Sequence, residues 1–302
     1  MKSKIILGTA KFGFADYGFS SNNPQLSSIE MLVSAGKLGI DMLDTSPRYG
    51  NAEKMIGEYH KKNETQFRVC TKVDNLSADV RTSERKIYDS VLNSLKDLDV
   101  DVIDTLYLHQ NEIQIISDQN IIKTLRKLKC DGLVKKIGVS IYNVEECDFA
   151  LNCSVYDVIQ LPISILDSHI YSQIVENGAA KEIVARSLFL QGVLFNRSAI
   201  RGQIKQADDL LLSLSEIDDL AVKHKVDLLD LAVSFVSSLP KVDQIIVGTT
   251  CEQHLLAIVS ASETKLSGSL YDQLKSKSAI YKDWGNPRNW RKVDVCDERG
   301  VI

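Results

Sequence analysis

A carboxylate and a phenol stand close together in a segment that is not typical of a helix or a strand. Residues 44 to 53 read DTSPRYGNAE, so that Asp44 precedes Tyr49 by five positions, with Pro47 and Gly50 in the same segment. Proline and glycine interrupt regular structure, and the pattern predicts a turn or a helix entry. A phenol with the ordinary pKa of about 10 acts as an acid near neutral pH only beside a group that favours phenolate.

Lys72 and His109 are the residues predicted to complete this group. A positive charge about 4 Å from a phenol would favour phenolate by up to about 4 kcal/mol at an effective dielectric constant of about 20. Asp44 can pair with Lys72 and hold it charged, and His109 can orient or polarise a carbonyl oxygen. The four side chains therefore predict one acid site with Tyr49 as the proton donor.

The elements that would bring these residues together form eight rounds of a strand followed by a helix. The predicted strands are 4–9, 41–44, 67–73, 102–109, 134–140, 156–161, 182–187 and 244–248. Apolar residues recur at three- and four-residue steps between them, which predicts helices at 27–39, 83–98, 120–129 and 228–239, among others. Eight such rounds are most simply closed into a (β/α)8 TIM barrel, predicted as a single domain over residues 1–302.

In a barrel of this kind the chemistry is located at the C-terminal ends of the strands, where Asp44, Lys72 and His109 all fall. A polar segment of about 30 residues after Arg186 is predicted to be a long functional loop. The competing doubly wound fold would need a GxGxxG after the first strand, and GTAKFGFADYG does not provide it. A dinucleotide, if one binds, would not be held in the Rossmann manner.

Each of the four residues also has an ordinary structural explanation. Asp44 could cap the following helix, Lys72 could be a solvated strand end, and His109 could be a core histidine bonded to the backbone. Tyr49 could simply pack. Their common position at one rim of adjacent strands favours the joint role, because the ordinary explanations would require four coincidences.

The composition is that of an ordinary globular protein and indicates no macromolecular partner. Hydrophobic residues make up 44% and charged residues 25% of the chain, and the net charge of −4 is not gathered in tails. Neither nucleic acid nor a membrane is therefore predicted as a partner. The six cysteines form no CxxC and the first apolar run is too short for a signal peptide, so a cytoplasmic protein without a metal site is expected.

Four motifs in chain order, LDTSPRYGNAE, VCTKV, YLHQ and KKIGVS, together resemble the aldo-keto reductase family. The resemblance extends from GTAKFG near the start to VGTTCEQHLLAIVSA near the end. It implies that Asp44, Tyr49, Lys72 and His109 are the catalytic tetrad of that family. It also implies a nicotinamide cofactor, NADPH or NADH, that lies across the barrel mouth and gives hydride to a carbonyl carbon while Tyr49 protonates the oxygen.

The same resemblance assigns residues to each part of the cofactor. Those expected at the nicotinamide and its ribose are Gly8, Thr9, Asp44, Ser140 and Gln160. Those expected to clasp the pyrophosphate, next to Arg186, are Ser187, Leu188, Gln191 and Gly192. Those expected around the adenosine phosphate are Gly248, Thr249, Thr250, Cys251 and His254.

Three positions differ from the family pattern. Ile141 stands where asparagine is common, which removes one contact to the carboxamide. Arg186 stands where many members have a tyrosine that stacks on the nicotinamide, although a guanidinium can also stack on a planar ring. Cys251 stands where NADPH-preferring members commonly have lysine or arginine, so an NADPH preference rests on family habit alone.

The substrate is indicated only in outline. Arg48 and Arg186 flank the expected carbonyl site and could bind an anionic or polyhydroxylated molecule, although Arg48 could equally be solvated. Aromatic residues follow strand 1 and occur in the tail, about 280–302, which in this family often folds over the barrel mouth. They could line an apolar pocket or pack the tail against the barrel, and they are Phe12, Phe14, Tyr17, Phe19, Trp284 and Trp290.

The predicted function is NAD(P)H-dependent reduction of an aldehyde or ketone to an alcohol, reversible in principle, with a sugar-derived carbonyl as a candidate substrate. One alternative is a cofactor-binding, redox-sensing regulatory subunit with little turnover. Another is a barrel lyase or isomerase that uses Lys72 as a Schiff-base amine. No oligomeric state is predicted.

Overall fold

Eight parallel strands follow one another around a closed barrel in chain order, and β8 pairs with β1. The computed structural model describes residues 3–14, 25–76, 80–177, 180–197, 200, 204, 207–286 and 289–290. The strands are β1 (Ile5–Gly8), β2 (Met42–Asp44), β3 (Arg68–Val73), β4 (Ile103–Leu108), β5 (Val134–Ser140), β6 (Val158–Pro162), β7 (Glu182–Arg186) and β8 (Gln244–Val247). The predicted (β/α)8 barrel is confirmed, and every predicted strand end lies within two residues of the observed one.

Helices connect the strands. They are α1 (Ala10–Gly13), α2 (Ser28–Lys37), α3 (Ala52–Lys62), α4 (Val80–Leu98), α5 (Ile113–Ile116), α6 (Gln119–Cys130), α7 (Val144–Asn152), α8 (His169–Asn177), α9 (Ala207–His224), α10 (Leu228–Ser238), α11 (Glu252–Glu263) and α12 (Gly268–Ser278), with short 3₁₀ turns at Leu190–Gly192 and Asp283–Gly285. The four helical stretches named from the sequence correspond to α2, α4, α6 and α10. Within the described residues, none of these helices has both the length and the apolar character needed to span a bilayer.

The polar loop predicted after Arg186 is shorter than expected. Helix α9 begins at Ala207, inside the roughly 30 residues that were assigned to this loop, and continues to His224. Leu210, Leu214 and Ile217 recur at four- and three-residue steps and are buried. The exposed residues of the helix include four acidic ones, Asp208, Asp209, Glu216 and Asp219. The segment is therefore an amphipathic helix, and its polar face concealed the period.

Side chains fill the barrel interior. Tyr107 and Gly138 face each other across β4 and β5, and a Cβ at Gly138 would lie 2.4 Å from the Tyr107 ring. Glycine is needed here because any side chain would displace that ring. The interior layer around the ring consists of Ile6, Met42, Cys70, Val158 and Val184. This layer closes the barrel beneath the strand ends.

The end of α12 and the described part of the tail pack on the loop that follows β6. The Ser168 N–H donates to the Ser278 carbonyl at 2.7 Å, and a Cβ at Gly285 would lie 2.0 Å from Asp167 Oδ2. Trp284 is buried, and the Trp290 indole N–H donates to the Trp284 carbonyl at 2.7 Å. Residues 291–302, together with Tyr17 and Phe19, lie outside the described residues. That the tail covers the barrel mouth, and that residues 1–302 form one domain, stay predictions.

Candidate active site

One layer of residues at the C-terminal ends of the strands forms the candidate site. Successive side chains alternate between the two faces of a strand, so a residue two positions beyond the interior layer points the same way. The residues two positions beyond that layer, at six strand ends, are Gly8, Asp44, Lys72, His109, Gln160 and Arg186. Ser140 and Gly248 follow Gly138 and Ile246 in the same manner. All eight were singled out from the sequence, and the structure brings them to one mouth.

Asp44 and Lys72 form a buried ion pair at the ends of β2 and β3. The Lys72 ammonium donates to Asp44 Oδ1 at 2.6 Å and to the Thr45 carbonyl at 2.7 Å. Their side chains are only 6% and 2% exposed, respectively. A pair so enclosed is held in one geometry, because breaking it would leave an uncompensated charge without water. Asp44 does not cap a helix: α3 begins after Asn51.

Lys72 is charged at neutral pH. Burial opposes the charge, but the carboxylate of Asp44, the Tyr49 phenol and the hydrogen bond to Asp44 together raise the pKa of Lys72 to about 12. A Schiff-base lysine must offer the neutral amine, which a desolvated or cation-flanked site favours. The surroundings of Lys72 therefore disfavour the lyase or isomerase alternative.

The other oxygen of Asp44 holds a residue from the opposite wall of the barrel. The Gln160 amide, at the end of β6, donates to Asp44 Oδ2 at 3.0 Å. The Thr9 hydroxyl and N–H both donate to the Asp44 carbonyl, at 3.0 and 2.9 Å. Ser140 lies beside Gln160 in the β5–β6 register and is buried. Residues predicted to surround the nicotinamide are thus joined through Asp44.

Tyr49 lies in the predicted turn, above the ion pair. The Lys72 ammonium faces the Tyr49 ring, 5.1 Å from the ring centroid. The turn is closed by two backbone bonds, from Tyr49 N–H to the Ser46 carbonyl at 2.9 Å and from Ala52 N–H to the Tyr49 carbonyl at 3.0 Å. The ring is half-buried, so the side chain that faces the ammonium is still partly accessible to solvent.

Gly13 is a positioning residue that sequence reasoning missed. A Cβ at Gly13 would lie 1.8 Å from the Tyr49 carbonyl oxygen and 3.0 Å from the Gly50 nitrogen. Gly50 itself has φ +52, a left-handed conformation suited to glycine. Helix α1 therefore packs directly on the turn that carries the phenol. The GTAKFG motif contained this glycine, but its spacing did not indicate what it touches.

His109 is neutral at the edge of the same cluster. Its backbone N–H donates to the Val73 carbonyl at 3.0 Å. Burial, with the nearby charges of Lys72 and Arg186, lowers the pKa of His109 to about 4, and the opposing effects of Asp74 and Asp44 do not compensate. The ring can therefore orient a polar group near neutral pH without carrying a charge of its own.

Asp74 is a second residue that the sequence did not reveal. Its Oδ2 lies 3.0 Å from His109 Nδ1, although the two atoms are not aligned as a hydrogen bond. Arg48 donates to the same oxygen at 2.6 Å. Burial alone would raise the pKa of Asp74, but the Arg48 and Asn75 hydrogen bonds, the charge that His109 gains at acid pH and the charge of Arg48 lower it overall. Arg48, for which a substrate contact and a solvated position were equally expected, is thus paired with Asp74.

The segment after β7 is unusually rich in left-handed backbone. Positive φ values occur at Ser187 (63°), Leu190 (46°), Gln191 (55°) and Gly192 (94°). Residues other than glycine in this region carry strain of about 1 to 3 kcal/mol each, and such strain concentrates at ligand clamps. Left-handed turns can direct backbone N–H groups toward an anion, but here the Leu190 and Gly192 N–H groups donate to the Ser187 and Phe189 carbonyls, both at 2.8 Å. Leu188, in contrast, is buried and packs into the core.

The segment after β8 leads directly into helix α11. Cys251 is the N-cap residue and is 3% exposed, and its N–H donates to the Thr249 hydroxyl at 3.1 Å. The Thr250 carbonyl accepts from Leu26 N–H at 2.7 Å, which ties the segment to the chain before α2. His254 follows in the first turn of α11, and Gly248 precedes the segment. A helix N-terminus at this position suits a phosphate.

Comparisons with known proteins agree with this fold. The sequence model of the Aldo/keto reductase family matches residues 4–279. The chain is 28% identical to aldo-keto reductase YhdN of Bacillus subtilis over 173 residues, 55% of this chain and 51% of that protein. It is 34% identical to L-galactose dehydrogenase of Arabidopsis thaliana over 122 residues, 37% of this chain and 38% of that protein. The match thus spans about half the length of the first relative and less of the second.

A solved structure has a similar fold. An aldo/keto reductase from Klebsiella pneumoniae, in complex with NADP and acetate, superposes with a TM-score of 0.68 at 18% identity and covers 92% of each chain. At this identity the likeness concerns the fold alone.

The chain belongs to the aldo/keto reductase family, because the family model covers nearly all of it. The resemblance predicted from the four motifs is therefore confirmed. Members of this family are NAD(P)H-dependent oxidoreductases.

Proposed function

We propose that the protein catalyses the reversible reduction of an aldehyde or ketone to an alcohol with NADH or NADPH, and that Tyr49 is the proton donor. The observation that carries this proposal is the buried Asp44–Lys72 pair, whose ammonium lies 5.1 Å from the centroid of the Tyr49 ring. The nicotinamide cofactor, when bound, would supply the hydride.

Tyr49 gives its phenolic proton to the carbonyl oxygen, which becomes the alcohol oxygen. The phenolate left behind is stabilised by the Lys72 ammonium, which Asp44 keeps charged. Because the pair is preformed and closed to water, little reorganisation is needed when the phenolate appears. In the reverse direction the same phenolate takes the proton from the alcohol.

His109 orients the carbonyl oxygen as a neutral ring. A charged imidazolium would compete with Lys72 for the developing negative charge and with Tyr49 for the role of acid. The pKa of about 4 excludes that charge near pH 7. Asp74, held by Arg48, flanks the ring on its Nδ1 side.

The residues at the ends of β7 and β8 fit a dinucleotide. The left-handed run at Ser187 and Leu190–Gly192 would hold the diphosphate, and the start of α11 would hold the adenosine phosphate. Between 248 and 254 there is no lysine or arginine, and Glu252 occupies the first turn of α11. This segment therefore supplies no cation for a 2′-phosphate, and any preference for NADPH over NADH is expected to be weak.

A sugar-derived carbonyl is the substrate class we favour. The support is the name of L-galactose dehydrogenase, to which part of this chain is similar, and the guanidinium of Arg186 at the mouth. A screen of aldoses, simple aldehydes and ketones with both cofactors, followed by the absorbance of reduced nicotinamide, tests this choice.

The central test is Tyr49→Phe. We expect reduction of every aldehyde in the screen to be lost while the dissociation constants of NADH and NADPH, measured by fluorescence, change little. Tyr88→Phe is the matched control, because Tyr88 lies on α4 and donates to Asp131 at 2.8 Å, outside the mouth. Full activity of Tyr49→Phe would show that the acid is another group. Absence of turnover in the unmodified protein, with cofactor binding intact, would favour the regulatory alternative.

A further inference from the structure

The two arginines near the mouth are in different electrostatic situations. Arg48 is 59% exposed and forms an ion pair with Asp74 at 2.6 Å. Arg186 is half-buried at the end of β7. Among the residues that the structure describes, no carboxylate forms an ion pair with Arg186. Only one of the two guanidinium groups therefore has its charge matched inside the protein.

Arg186 is nevertheless held firmly. Its guanidinium carbon lies 4.0 Å from the centroid of the Tyr142 ring, so the planar group rests on an aromatic face. It also donates to the Ile141 carbonyl at 3.2 Å and to the Ser187 hydroxyl at 3.3 Å. Tyr142 is fixed in turn, because its N–H donates to Glu146 at 2.7 Å. The loops after β5 and β7 thus position this cation between them.

Its direction is set by the strand. Val184 belongs to the interior layer, and Arg186 follows it by two residues, so the side chain leaves the strand on the barrel side. Its charge reaches the tetrad, since Arg186 contributes to the lowered pKa of His109.

Other arginines of similar burial show what the protein does elsewhere. Arg68 and Arg197 have side chains 26% and 29% exposed, and each is paired with an aspartate, Asp41 and Asp218 respectively. A partly desolvated guanidinium without an anion is unfavourable. Arg186 differs from both, which indicates that its charge is matched by an anion of a bound ligand.

We propose that Arg186 binds an anionic oxygen, of a carboxylate or a phosphate, in the small molecule held at the barrel mouth. Guanidinium has five N–H donors, and two of them are used by Ile141 and Ser187, so donors remain for a charge-assisted contact. The anion belongs either to the substrate or to the diphosphate of the cofactor. The proposal rests on the proposed function, and it narrows the substrate class to carbonyl compounds with an acidic group if the first source applies.

The experiment compares 4-carboxybenzaldehyde with its neutral methyl ester, and measures dissociation constants of NADH, NADPH and inorganic pyrophosphate, in the whole protein. Arg186→Gln removes the charge, and Arg186→Lys keeps it without the planar fork. Arg126→Gln is the control, because it removes one charge from an exposed arginine on α6. A substrate contact predicts that Arg186→Gln lowers kcat/KM for the carboxylate about tenfold or more while the ester changes less than about twofold. Arg186→Lys should recover part of the loss.

A cofactor contact predicts instead that Arg186→Gln weakens binding of NADH, NADPH and pyrophosphate about tenfold, with the ratio of the two aldehydes unchanged. The proposal is overturned if neither the aldehyde ratio nor any of these constants changes in Arg186→Gln, or if both aldehydes lose activity equally at unchanged cofactor affinity. If the unmodified protein reduces neither aldehyde, the proposed function has failed for them. The role of Arg186 is then decided by the dissociation constants of pyrophosphate and of the 4-carboxybenzaldehyde anion, compared between the unmodified protein and Arg186→Gln.

Discussion

At the ends of β2 and β3 the buried charges of Asp44 and Lys72 match each other, whereas at the end of β7 a guanidinium has no acidic partner among the residues that the structure describes, and the backbone is strained. The Lys72 ammonium and the Asp44 carboxylate neutralise each other across 2.6 Å, and both side chains are almost completely buried. Arg186 rests on an aromatic ring, followed by the left-handed run that starts at Ser187. The first region is complete without a ligand. The second has features that a bound anion would compensate, so we assign chemistry to the first and ligand binding to the second.

The largest effect is expected when one charge of the buried Asp44–Lys72 pair is removed. Lys72→Met leaves the Asp44 carboxylate buried without its partner, which should cost about 3 to 5 kcal/mol of unfolding free energy and abolish reduction. The double variant Asp44→Asn with Lys72→Met removes both charges, so it should recover much of the stability and none of the activity. Urea unfolding and aldehyde turnover measure the two quantities. Recovery of activity in the double variant would contradict the role of Lys72.

A smaller but selective effect is expected at Gly13. Alanine there would place a methyl group 1.8 Å from the Tyr49 carbonyl oxygen, so α1 or the turn must move. A displacement of about 1 Å at the proton donor can lower kcat about a hundredfold, with cofactor affinity little changed. Gly268→Ala is the matched control, since nothing lies within 4 Å of a Cβ at that position. Equal kinetics in the two variants would show that the turn is not held by α1.

The pH dependence of stability sharpens the comparison further. In the unfolded chain His109 takes up a proton below pH 6.5, but in the folded protein only near pH 4. The unfolded state therefore binds more protons between these values, and the unfolding free energy should fall as the pH drops from about 6.5 to 4. His109 accounts for up to about 3 kcal/mol of this fall. In His109→Gln the unfolding free energy should fall correspondingly less over this pH range. An unchanged pH profile would contradict the lowered pKa of His109.

The smallest effect is expected in the strained region. Gln191 is exposed with φ 55°, so Gln191→Gly should relieve strain and raise the unfolding free energy by up to about 1 kcal/mol. Lys225→Gly is the control, because Lys225 has φ 54° at the end of α9, remote from the mouth. Both variants should gain similar stability. Only Gln191→Gly should bind NADH more weakly, because the loop after β7 becomes less rigid. Unaltered NADH binding would argue that this loop does not hold the cofactor.

Local patterns were sufficient for much of the fold. All eight strands were found from short β-rich runs, and α2, α4, α6 and α10 from their apolar period. Helix α9 was missed because its acidic face resembled a polar loop. Asp74 and Gly13 were missed for a different reason: each acts through a contact with a residue more than thirty positions away, His109 and Tyr49 respectively.

The sequence by itself determined the order of strands and helices and the residue types at the strand ends, because these depend on period and on neighbours along the chain. Only the tertiary structure decided which charges meet. Closure of the barrel places Gln160 against Asp44 and Asp74 beside both Arg48 and His109. It leaves Arg186 on Tyr142, with no acidic partner in the described part of the chain. Pairing energies depend on distance and burial across separate strands, and neither quantity is encoded in the spacing of residues along the chain.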